Sequence, residues 1–106
     1  MPGANQEQQQ KFAELQRKTT SAECAYRYFE TTRNLDVSEL LPKVTAPTLV
    51  MHKRDDQVQP FEAGRELAAG IPGARFVALR GQNHFLLEED PETERTLEEI
   101  RLFLKL

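Results

Sequence analysis

An α/β class with parallel strands is predicted by three features of the sequence. Two apolar runs of strand length, "TLVMH" at 48–52 and "RFVAL" at 75–79, are each followed by a segment with helical apolar spacing. The first run does not alternate, as expected of a strand covered on both faces. Glycines and prolines separate the pieces, so strand, helix, strand and helix follow in order, which calls for a crossover and parallel pairing.

The elements can be justified from the N-terminus onward. Residues 1–10 form a glutamine-rich stretch with Pro2 and Gly3 and little to pack, so a flexible segment is expected there. From Lys11 to about Lys18, Phe12 and Leu15 lie one turn apart on a first helix. Thr20 and Glu23 have capping-box spacing, and Ala22, Cys24, Ala25, Tyr26 and Phe29 provide an apolar side for a second helix through Thr32. Asp36 and Glu39 repeat the cap spacing, and Pro42 limits the helical segment there to a turn or two. Ala46-Pro47 imposes an extended entry to the first strand. Pro60 suits a helix first turn, and Phe61, Gly64, Leu67, Ala68 and Ile71 recur at helical spacing until "GIPG" ends the helix. Asp90-Pro91 reads as the cap and first turn of a last helix, with Leu97, Ile100, Phe103 and Leu104 on one side. The acidic run around that cap reads as a solvated helix start favoured by the macrodipole.

Composition excludes several classes of function. The 106 residues suit one core, and a net charge of −3 with no basic patch argues against direct binding of nucleic acid. No apolar stretch approaches the roughly 20 residues that span a bilayer, and the polar N-terminus lacks the features of a secretory signal, so a cytoplasmic location and no membrane partner are expected. Cys24 has no partner for a disulfide or a zinc site and reads as a half-buried helix residue. His52, Asp55, Asp56 and His84 lack a recognised metal-ligand spacing, so neither metal nor cofactor is expected. His52 reads as structural, packed or hydrogen-bonded in its loop.

"APTLVMHKRDDQVQPFEAGRELAAGIPGARFVALRGQNHFLLEEDPE", residues 46–92, resembles the C-terminal end of an α/β-hydrolase. In that family an apolar strand leads into GxxDxxVP with the triad acid, then a helix, "IPGA", a strand, and GxxH with the triad histidine. The resemblance covers residues 42–104. It implies that Asp56, four residues before Pro60, is the acid and that His84, three residues after Gly81, is the base. Both would stand at carboxyl ends of neighbouring parallel strands, where open α/β sheets build sites. Lys53 replaces the family's glycine, and Gln59 replaces the valine before the proline. Ser21 and Ser38 are the only serines, and neither lies in a G-x-S-x-G elbow.

The residues upstream resemble a segment leading out of a helical lid, similar to hydrolase-like domains attached to bacterial nucleotide cyclases and LuxR-type regulators. This divides the chain into a flexible segment 1–10, a helical lid-exit segment 11–41 and an α/β-hydrolase segment 42–106. Two functions follow from the resemblance. One is the C-terminal part of a serine-type hydrolase of ester or amide bonds, inactive alone, whose nucleophile belongs to the remainder of the parent protein. The other is a non-catalytic module that binds a small-molecule ligand or a partner within a regulator. A two-stranded sheet with an open edge also predicts a homo-oligomer.

Overall fold

Asn5 and Gln8 close a reciprocal capping box: the Asn5 side chain accepts from the Gln8 backbone N–H at 2.8 Å, and the Asn5 N–H donates to Oε1 of Gln8 at 2.9 Å. Helix α1 therefore spans Gln6–Thr19 in the computed structural model, which describes residues 1–106. The helix thus begins inside the segment 1–10 expected to be flexible, because the polar run carries its own cap. Gly3 is also tied down, its N–H donating to Oδ1 of Asn83 at 2.9 Å. Helix α2 spans Ala22–Thr32 and is capped by Ser21, one residue later than the expected Thr20; Oγ of Ser21 accepts from the Cys24 N–H at 3.1 Å. Neither helix buries a residue, and Cys24 is exposed rather than half-buried. No helix is long and apolar enough to cross a membrane.

The chain divides into two compact units, 4–37 with α1 and α2, and 38–106 together with residues 1–3. The larger unit opens on a short 3-10 helix, Ser38–Lys43, which includes Pro42. Strand β1 is Leu49–Lys53, helix α3 Phe61–Gly70, strand β2 Arg75–Leu79 and helix α4 Thr93–Leu104. The two strands pair in parallel from Leu49 opposite Arg75 to Lys53 opposite Leu79.

Alternation along the strands assigns the two sheet faces. Val50, His52, Phe76 and Ala78 point toward α3: Phe61 lies 5.5 Å from Phe76 and 5.9 Å from His52 between ring centroids. The other face carries Met51, Lys53, Val77 and Leu79 and receives α4, with Arg75 bonded to Glu99 at 2.6 Å. Coverage on both faces is why β1 reads as an unbroken apolar run. Ile71, Val77 and Leu79 form the buried apolar core, whereas Leu67, Leu97 and Leu102 remain exposed.

Helix α4 begins at Thr93 with Glu92 at its cap, two residues beyond the expected Asp90-Pro91 start. Asp90 instead caps the turn that leads into the helix, its carbonyl accepting from the Thr93 N–H at 3.0 Å. The Asp90 carboxylate accepts from the Glu92 N–H at 2.9 Å with one oxygen and pairs with the ammonium of Lys53 through the other.

Candidate active site

Backbone pairing between the strands continues into the loops that follow them. Beyond β1 and β2, the N–H of Arg54 donates to Leu79, that of Asp55 to Gly81 and that of Gln57 to Gln82, at 2.9 to 3.1 Å. The two loops therefore run side by side at the carboxyl ends of the strands. Gly81 permits this course with φ of 118°, a conformation side chains resist, and the Lys53 stem passes 3.5 Å from where its Cβ would stand. Lys53, at the family's glycine position, has no positive φ, so the loop accepts a side chain there.

Asp56 and His84 meet across these loops. Nδ1 of His84 donates to Oδ2 of Asp56 at 2.7 Å, while Oδ1 of Asp56 accepts from the N–H groups of Val58 at 2.8 Å and Gln59 at 3.0 Å. An ionised carboxylate only accepts, so the proton is on Nδ1 and Nε2 is left basic. The Asp56 side chain is 3% exposed and that of His84 34%, so the carboxylate is withdrawn from water and the imidazole is not. Burial alone would raise the Asp56 pKa. The hydrogen bonds from Gln59, His84 and Val58, with the nearby His84 charge, outweigh it and hold the group at about 2.

His52 is the member of this cluster that reading the sequence assigned to structure alone. Its Nε2 donates to the Gln59 carbonyl at 3.0 Å and lies 3.3 Å from Oδ2 of Asp56, so one ring braces both the loop and the carboxylate. No sequence signal marks this contact with Asp56; His52 faces α3 opposite Gly64. A Cβ at Gly64 would stand 2.6 Å from Nδ1 of His52 and 2.8 Å from its Cβ. Gly64→Ala is therefore expected to destabilise the chain by about 1–3 kcal/mol through overpacking, despite the better helix propensity of alanine. Urea denaturation checks this, and a more stable variant would refute the packing account. Asp55 is exposed and makes only backbone bonds.

A cavity of about 200 Å³ adjoins the pair, lined among others by Met51, Lys53, Leu79, Leu86 and Thr96. Neither serine lines it: Ser21 caps α2 and Ser38 opens the 3-10 helix. The Thr96 hydroxyl is already committed, donating to the Glu92 carbonyl at 2.8 Å. The cluster can orient an imidazole and take up a proton; these 106 residues place no nucleophile beside it.

The profile of the TAP-like protein family of α/β-hydrolases matches residues 10–97. The chain belongs to this family. It is 31% identical over 65 residues to the AB hydrolase superfamily protein YisY of Bacillus subtilis, covering 61% of this chain and 24% of YisY. It is 48% identical over 50 residues to a 2-hydroxy-6-oxononadienedioate/2-hydroxy-6-oxononatrienedioate hydrolase of Cupriavidus pinatubonensis, covering 47% of this chain and 17% of that protein. Among solved structures it superposes on the esterase EaEST from Exiguobacterium antarcticum with a TM-score of 0.78 and 26% identity, over 97% of this chain and 38% of the esterase. The chain thus spans about a quarter or less of these two curated relatives and forms part of an α/β-hydrolase fold.

Proposed function

We propose that this TAP-like chain carries the acid–base half of a serine-type hydrolase acting on ester or amide bonds. Asp56 orients His84, and His84 is the general base through Nε2. The nucleophile comes from residues outside these 106, so the chain alone turns over no substrate. The observation that carries this reading is the His84 Nδ1–H bond to a buried carboxylate whose other oxygen is held by two backbone N–H groups. That arrangement fixes the tautomer and stabilises the imidazolium formed when a hydroxyl is deprotonated.

The test is a chimera in which residues 42–106 replace the matching part of the Exiguobacterium esterase. The chimera is expected to hydrolyse a p-nitrophenyl ester and to lose turnover with His84→Ala. A folded chimera no more active than its His84→Ala variant would overturn the reading. A second reading rests on the resemblance of the upstream helices: a cytoplasmic non-catalytic sensing module like those attached to cyclases and LuxR-type regulators, which a cyclase or DNA-binding domain in the same gene would favour. Under either reading, β1 and β2 form a two-stranded sheet on their own, and a second copy could extend it. Sedimentation is expected to show a dimer or larger species, and a strict monomer would contradict it.

A further inference from the structure

We propose that Lys53 and Asp90 form a buried clasp that holds the loop carrying His84 in register with Asp56, which makes Lys53 a positioning residue of the site. The proposal rests on reading His84 as the general base.

Lys53 is the last residue of β1, and alternation turns its side chain toward the α4 face, beneath the loop that leaves β2. The stem passes under Gly81, the ammonium comes within 3.5 Å of the Phe85 carbonyl, and it ends in an ion pair with Asp90. His84 lies between the first two of these points. One side chain therefore lies close beneath the loop before the histidine and bonds it just after the histidine and at its far end. Both charged groups are withdrawn from water, with side-chain exposures of 3% and 6%.

Burial of the Asp90 carboxylate disfavours its charge, but the Lys53 ammonium and the Glu92 N–H hold its pKa below the ordinary carboxylate value. A buried ion pair is a poor way to gain stability, since apolar side chains of similar volume often do as well or better. Its position points instead to geometry. An ammonium that must reach a carbonyl and a carboxylate at once admits few loop conformations, whereas an apolar contact in the same space would admit many.

The test combines Lys53→Met with Asp90→Leu, which removes the charges and keeps the volume. Two readouts are taken by NMR: amide exchange over residues 81–87 and the downfield Nδ1–H resonance of His84. The double variant is expected to keep its far-UV circular dichroism, to exchange those amides about tenfold faster than the native chain, and to lose or broaden the resonance. Asp90→Asn keeps an acceptor for the Glu92 N–H but removes the partner charge, and it is expected to move both readouts the same way.

Unchanged exchange and an unchanged resonance in the double variant would overturn the clasp. So would an equal acceleration at every amide, which would show only a general loss of stability. A native chain without the Nδ1–H resonance would instead count against the reading of His84 as base. The exchange measurement decides the clasp in either case.

Discussion

Asp56→Asn in the esterase chimera is expected to lower kcat about 10⁴-fold with little change in KM. The size of the effect follows from the hydrogen bonds rather than from lost charge alone. Oδ1 of Asp56 accepts from two backbone N–H groups, so an asparagine would keep its carbonyl there and turn its NH₂ toward Nδ1 of His84. That nitrogen would then have to accept, the ring proton would move to Nε2, and the base would be in the wrong tautomer. The NH₂ would also oppose the Nε2–H of His52, which lies 3.3 Å from Oδ2. Steady-state kinetics on p-nitrophenyl esters, with circular dichroism confirming the fold, measure this. Activity within tenfold of the unmodified chimera would remove Asp56 from the role of orienter.

Acid is expected to weaken the fold most steeply between about pH 4 and pH 2. The Asp56 pKa is depressed in the folded chain from 3.8 to about 2, so the unfolded state binds the proton first. The associated stability is fully present above the unfolded value and is lost as pH falls through the folded one. Asp90, held down by Lys53, acts in the same direction. Urea midpoints recorded from neutral pH downward should stay level to about pH 5 and then fall, and Asp56→Asn should flatten the fall. A midpoint independent of pH in that window would show that neither carboxylate is better stabilised in the folded chain than in the unfolded one. The side chains involved are nearly all buried, so salt should change this window less than it changes surface pairs such as Lys11–Glu7.

Much of the larger unit is legible in the sequence. β2 at 75–79 lies where its apolar run stands, β1 is displaced by one residue, and the helix after Pro60 ends at its glycine as turn chemistry requires. The features that differ turn on the bonds of polar side chains. Asp90 reads as the cap of α4, yet it caps the turn just before that helix with one carboxylate oxygen and meets Lys53, 37 residues earlier, with the other. His52, read as packed or hydrogen-bonded in its loop, does bond the Gln59 carbonyl seven residues on, but its approach to Asp56 is not legible in the sequence. The N-terminal helix starts earlier than its apolar pattern indicates, because a capping box of asparagine and glutamine needs no apolar residue.

By itself the sequence determined the order of elements and the strand ends at which a site could form, while the roles of Asp56 and His84 came from the resemblance to the α/β-hydrolase pattern. Local periodicity and turn chemistry act over a few residues and leave their mark in the chain. Only the tertiary structure decided that the paired loops bring the imidazole to the carboxylate, that His52 shares that carboxylate, and that a lysine in a glycine's position reaches under the loop to Asp90. These contacts join residues far apart in sequence through directional hydrogen bonds. Their geometry depends on the register of two parallel strands, which no short stretch of the chain contains.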